Sequence, residues 1–221
     1  LAGRMPNAMT IGNTETKSMI IEFADSPHLP DDIQNDMLIA GYFAGVIDRF
    51  DWSADGSGHH LENKPPLLSS NHNAFRPVDI RIGPDGAIYV ANWFNPIIGH
   101  YQASLRHPDR DKVHGRVWRI TATGRPLASA PSLSELDAVG LVDHLKSDWR
   151  YVRCQAKRRL ADLPEAEVIP AITSWVEQLA KTDENLELYL FEALGVFESH
   201  EAINSALLKR LLNSVEPRAR A

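Results

Sequence analysis

Cysteine is almost missing: Cys154 stands alone among 221 residues, which excludes an internal disulfide and a cysteine-rich metal site. Long apolar runs are missing as well. No stretch approaches the roughly 18 apolar residues that a membrane-spanning helix needs, and the opening LAGRMPNAMT has neither the charged nor the apolar region of a leader peptide. There is no basic excess. With 23 Lys and Arg against 29 Asp and Glu the formal charge is −6, which argues against general nucleic-acid binding. Disorder is excluded too, because 43% hydrophobic and 24% charged residues are the proportions of a globular chain. Leu1 at the start and EPRARA at the end, which reads as the opening of another helix, make both ends look like cuts in a longer protein.

What is present falls into two halves with different periods. From Ala8 to about Thr121, short β-branched and aromatic runs alternate with Gly, Asp, Asn and Pro, the pattern of strands and turns. It predicts strands near Ser18–Phe23, Asp36–Tyr42, Val46–Trp52, Leu67–Ser70, Val78–Gly83, Ala87–Trp93 and Arg116–Thr121, with Pro84-Asp85-Gly86 as a tight hairpin. A weak internal repeat runs through them. DMLIAGYFAGVIDRF and GAIYVANWF…GRVWRI share an order: an apolar strand ending in an aromatic, a connection, then a strand whose arginine is flanked by large residues. Each is preceded by a similar lead-in, GRMPNAMTI and AFRPVDIRI. Asp36 and Gly86 lie about 50 residues apart, near the spacing of four-stranded propeller blades. One complete blade and three strands of the next are expected.

After Arg125-Pro126 the stretch LASAPSLSELD has the Ser, Ala and Pro of a linker, and the period changes to 3.6. Apolar stripes Leu141/Val142/Leu145, Val152/Ala156/Leu160, Ile172/Trp175/Val176/Leu179, Leu186/Leu190/Leu194 and Ile203/Leu207/Leu208/Leu211/Leu212 predict successive helices. Asp148 and Asp183 suit N-caps, and Pro170 predicts a kink or a late start in the third helix. Helix pairs repeating every ~35 residues are the habit of a HEAT or armadillo-like solenoid. The expected fold is therefore a β-propeller fragment of about two blades (1–127), a linker (128–136) and an α-helical HEAT-like solenoid (137–221).

The run from Phe75 to Leu127, FRPVDIRIGPDGAIYVANWFNPIIGHYQASLRHPDRDKVHGRVWRITATGRPL, resembles the end of the propeller in membrane-bound dehydrogenases of planctomycete and verrucomicrobial type, distant relatives of soluble glucose and sorbosone dehydrogenases. GPDGAIYV is common to many propellers. NPIIGHYQ followed by LRHPDRD and HGRVWRIT is the specific part. In that family HEAT repeats follow the propeller, as LVDHLKSDWRYVRCQAKRRLADL does here. The resemblance implies a quinoprotein-type oxidoreductase acting on a sugar-like or other alcohol substrate in the periplasm or cell envelope. It implies pyrroloquinoline quinone and Ca²⁺ as cofactors, and electron transfer to a c-type cytochrome domain or protein. The haem-attachment motif CxxCH of such a domain does not occur in these residues. One departure is Asn92, where the family usually has Asp.

If the strands run outward from a propeller axis, the GPDG turn lies at one end and the Phe94–Gly115 connection at the other, together with Asn71–Arg76. That rule converges His72, Arg76, Asn95, His100, Arg106, Asp109, Arg110, Asp111 and His114 on one rim. An unstructured connection of some 20 residues usually has a function or packs as its own unit. Oxidation of an alcohol needs a base for the hydroxyl proton and cations for carboxylates and the reduced quinone. His100 or His114 is the expected base, Arg76 and Arg106 the expected clamps, with His72, Asn95, Asp109 and Asp111 in the binding shell.

The same residue types also suit a self-satisfied hydrogen-bond network that pins the loop to the sheet. Asp109, Asp111 and His107 lack a recognised metal-ligand spacing. Trp93 and Phe94 read as packing residues rather than a stacking platform, and Cys154 as a small packed residue. The basic run Arg150, Arg153, Lys157, Arg158 and Arg159 reads as a solvated helix face, with a docking patch for an acidic partner as the other reading. Two further functions stay open: a non-catalytic scaffold binding carbohydrate or protein in a cell-envelope assembly, and a calcium-dependent lactonase-like hydrolase.

Overall fold

The computed structural model describes residues 17–55, 58–99 and 103–220, and the expected lead-in GRMPNAMTI and His100 lie outside them. Among the described residues are seven strands in two antiparallel sheets, then six α-helices. The chain forms two compact units. One takes the described residues through Ala24 with Leu29–Gly83 and Ala87–Arg125; the other takes Asp25–His28, Pro84–Gly86 and the chain from Pro126.

In the first unit, β1 (Ser18–Phe23), β2 (Met37–Gly41), β3 (Val46–Asp55) and β4 (Gly58–Ser69) form a four-stranded meander. The expected Leu67–Ser70 strand is longer than its apolar residues suggested. Polar GHHLENK pairs with β3 from Asp55↔Gly58 onward, because hairpin register, not hydrophobicity, carries it. β5 (Pro77–Ile82), β6 (Ile88–Asn92) and β7 (Arg116–Ile120) form a three-stranded sheet in the same order. The two open sheets do not close into a barrel, and their edge strands β1 and β5 lie side by side.

The sequence repeat is a repeat of register. Leu38 pairs with Arg49 as Tyr89 pairs with Arg119, and Gly41 with Val46 as Asn92 with Arg116. Four residues join β2 to β3, and Gly45 (φ 66) closes that turn by donating to Gly41 O at 2.9 Å. The corresponding β6–β7 connection runs from Trp93 to Gly115. β2 is buried along its whole length and β6 at alternate residues, as central strands should be, whereas β7 is an edge with Val117 71% exposed. Met37, Ile39 and Phe50 form one core cluster, against which Phe23, Trp52 and Leu61 pack. Beside it the buried Asp36 carboxylate is paired with Arg49 and, at 2.9 Å, with Lys64, which offsets its desolvation.

The second unit holds α1 (Ala138–Val142) with a 3₁₀ turn over Asp143–Lys146, α2 (Arg150–Asp162), α3 (Glu165–Gln178), α4 (Leu186–Ser199), α5 (Ser205–Leu212) and α6 (Pro217–Arg220). Leu141, Leu145, Leu160, Ile172, Leu190 and Leu211 are its largest fully buried aliphatic side chains. Each such side chain contributes about 1.5–3 kcal/mol on burial. Asp137 caps α1 by accepting from Gly140 N–H at 2.8 Å, and Asn204 caps α5 by accepting from Leu207 N–H at 3.0 Å.

The expected caps are corrected. Trp149, not Asp148, precedes α2, and the Arg150 N–H finds its acceptor 125 residues away in Asp25 Oδ2 at 3.0 Å. Asp183 instead accepts from Asn185 N–H at 2.9 Å in a turn before α4. α3 starts at Glu165 and passes through Pro170 without a late start, since the buried stripe Val168, Ala171, Ile172 and Trp175 holds the turn on either side. Cys154 is exposed, two residues off the Val152/Ala156/Leu160 stripe. Most of the basic run is engaged: Arg153 and Lys157 clasp Glu192 at 3.2 and 2.5 Å, Arg159 donates to Ser134 O at 3.1 Å, and Arg150 sits 3.7 Å from Asp25. No helix among the described residues is long and apolar enough to cross a membrane.

Candidate functional site

Antiparallel pairing brings the start of β5, the end of β6 and the start of β7 to one end of the sheet, where Pro77, Asn92 and Arg116 form a single cross-strand row. The 70–76 segment enters at this end and the 93–115 connection leaves from it. Asn92 joins the two: its Oδ1 accepts from Arg76 N–H at 2.8 Å and from Phe94 N–H at 2.9 Å, while Trp93 N–H donates to Arg76 O at 3.0 Å. Its Nδ2 is buried without a partner among the described residues. The amide thus spends its acceptor twice and leaves its donor idle.

Phe94 follows with φ 52, a left-handed backbone that costs a bulky residue about 1–3 kcal/mol. Its ring packs at the rim, in line with the expectation of packing. His72 stacks with it at 5.5 Å, the Arg116 guanidinium lies 3.7 Å from its centroid, and His114 meets it edge-on at 6.4 Å. A depression of about 580 Å³ opens here, lined among others by His72, Phe94, Asp109, Asp111 and His114.

Asp111 organises the histidine. Its Oδ1 accepts from the backbone N–H groups of Val113 at 3.0 Å and His114 at 2.9 Å, and its Oδ2 lies 2.8 Å from His114 Nδ1. These bonds, Val113 N–H foremost, hold the Asp111 carboxyl below the usual carboxylate range. An ionised Asp111 accepts a hydrogen bond from Nδ1–H, so in neutral imidazole the Nε2 lone pair of the exposed His114 is left for a substrate. His72 is oriented the other way. Its Nδ1 accepts from Ala74 N–H at 3.1 Å, which puts the neutral ring's proton on Nε2. The pair therefore offers one acceptor and one donor at the same hollow.

The other expected site residues divide. Asn95 is buried beneath the loop, donating to Asp111 O at 3.3 Å and accepting from Ile97 N–H at 3.1 Å, so it supports the site without lining it. Asp109 lines the depression with its side chain 71% exposed. Arg110 binds three carbonyls, Ser104 at 2.8 Å, Ala103 at 3.1 Å and Ile97 at 3.3 Å, and pins the loop. Arg76 is at this end, but its Nη1 donates to Phe75 O and Phe43 O at 3.1 and 3.3 Å. Arg106 is exposed and does not line the hollow. Among the described residues no group of three or more His, Cys, Asp or Glu could hold a metal ion. Sequence reasoning missed Arg116 as the guanidinium on the Phe94 ring. The signals were a strand ending in Trp-Phe and the Arg that opens β7.

No curated protein and no solved structure matches the chain. A model of a family described as a domain of unknown function (DUF7133) matches residues 7–124, which is more than half of the chain. This span contains both sheets, the 93–115 loop and every residue of the depression, and on that match the chain belongs to the DUF7133 family.

Proposed function

We propose that this chain is part of a quinoprotein-type dehydrogenase, the last two blades of a propeller followed by a HEAT-like solenoid, which oxidises a sugar-like or other alcohol substrate. Electrons pass to a c-type cytochrome domain or protein in the periplasm or cell envelope. The observation that carries the reading is the Asp111–His114 pair at 2.8 Å on the rim of the depression. Asp111 fixes the His114 tautomer, His114 Nε2 receives the alcohol proton, and His72 Nε2–H steadies the oxygen from which it leaves.

The residues of the depression do not fit the cofactors by themselves. Asp111 has both carboxylate oxygens engaged, and Arg76 and Arg110 are turned to backbone carbonyls rather than to a quinone carboxylate. In this reading pyrroloquinoline quinone and Ca²⁺ are held by other blades. Asn92 for Asp is no obstacle, since its role in the loop needs only an acceptor oxygen.

The test is reconstitution of the full-length protein with pyrroloquinoline quinone and Ca²⁺, with dye reduction by aldoses and polyols as the readout. Turnover should fall by about 10²–10⁴ in His114→Gln with cofactor uptake unchanged. No cofactor uptake by absorbance would sink the proposal. A second reading, a non-catalytic scaffold for carbohydrate or protein, draws support from the loop's bonds to itself through Arg110 and Asp111. It requires ligand affinity to survive His114→Gln and no substrate to reduce the dye.

A further inference from the structure

The same unit holds a second hollow, of about 440 Å³, lined by the rings of Tyr42, Phe43 and Trp93 together with Met19 and Lys17. The Tyr42 and Trp93 rings lie nearly parallel, 15° apart with centroids at 6.0 Å, and Phe43 meets Tyr42 edge-on at 5.2 Å. Met19, Phe43 and Trp93 stay 46, 46 and 43% exposed, so three large apolar side chains converge on a concave surface without being covered. The volume is in the range of small-molecule pockets.

Charge narrows the ligand. Among the described lining residues Lys17 alone is charged, and none carries a carboxylate. Burial raises the pKa of the Tyr42 phenol, against the opposing pull of the Arg76 and Arg110 guanidiniums, which places both cations near the hollow. Nearby, Arg76 keeps a buried Nε–H without an acceptor among the described residues. Walls so poor in hydrogen-bonding groups leave a polyhydroxylated ligand unsatisfied. The local excess of positive charge disfavours an ammonium and favours a carboxylate.

We propose that this hollow binds a small molecule with a flat apolar body and a single carboxylate, the body against Trp93 and Phe43 and the carboxylate within the field of Lys17. The proposal does not depend on the dehydrogenase reading.

Three probes of one shape test it on the 221-residue chain by ligand-observed NMR and calorimetry: 2-naphthoate, 2-naphthalenemethanol and 2-naphthylmethylammonium. Naphthoate should bind about fivefold more tightly than the alcohol, with the ammonium weakest. Lys17→Met should bring naphthoate to the level of the alcohol and leave the alcohol unchanged, and Trp93→Ala should weaken all binding at least about tenfold. Both side chains are solvent-accessible, and circular dichroism checks that the variants fold. Equal affinities for the three probes, or naphthoate binding untouched in Trp93→Ala, would overturn the proposal. So would a Trp93-dependent dimer in sedimentation that competes with naphthoate, because the hollow would then be a surface for a second copy.

Discussion

Asn92 has one oxygen serving two backbone donors across the junction of the 70–76 segment and the long loop. Replacing it with Ala removes both acceptors at a buried position, which should cost about 2–3 kcal/mol in urea denaturation; Asn92→Asp, which keeps them, should change stability by less than about 1 kcal/mol. Equal losses in the two variants would mean that the junction is held by something else. Asp111 gives a pH prediction at the same scale. Its folded pKa is depressed, so its contribution to loop order is complete above the ordinary Asp value of about 3.9 and is lost as pH falls through the lower folded value. Proteolytic nicking of the 103–115 segment by an acid-active protease should therefore rise below about pH 4 in the native chain. In Asp111→Ala, which has no acceptor for the Val113 and His114 N–H groups, nicking should be high at every pH. A variant that matched the native profile would remove Asp111 from the account.

Elements meet at Gly86. With φ 76 it closes the Pro84–Gly86 turn, and a Cβ there would meet Ser26 Oγ at 2.5 Å, His28 Cβ at 2.8 Å and Ala128 Cβ at 2.9 Å. Gly86→Ala combines an unfavourable backbone with overpacking and should cost about 2–4 kcal/mol by thermal denaturation. A loss under about 1 kcal/mol would show that these segments yield easily. The strands and helices themselves were legible in the sequence, because period 2 and period 3.6 follow from backbone geometry. Their ends were less so. Asp148 and Asp183 had the chemistry of caps, but the Arg150 N–H is satisfied by Asp25, which no local pattern reveals. Pro170 lies inside α3 because tertiary burial of its neighbours outweighs a local breaker.

At the scale of the whole molecule, the helical unit is not a continuous piece of chain. Asp25–His28 and Pro84–Gly86 belong to it. Ser26 Oγ donates to Gly86 O at 2.6 Å, His28 Nδ1 lies 2.8 Å from Pro126 O, and Ala128 and Ala130 N–H donate to Asp85 O and Pro84 O at 2.9 and 3.0 Å. A fragment of residues 126–221 should keep its helices by circular dichroism but lose about 2–4 kcal/mol in urea denaturation relative to the same helices in the full chain. Full stability in the fragment would make the two short segments passengers.

The sequence by itself determined which stretches are strands and helices, the 50-residue repeat, and the clustering of His72, Asp111 and His114 at one sheet end. Periodicity and the alternation of antiparallel connections require these. Only the tertiary structure decided that Arg76 and Arg110 turn to carbonyls, that His72 and Arg116 pack on Phe94, and that Asp25 caps the start of α2. Each depends on which donor meets which acceptor across tens of residues, and that is set when the chain packs, not by its local pattern.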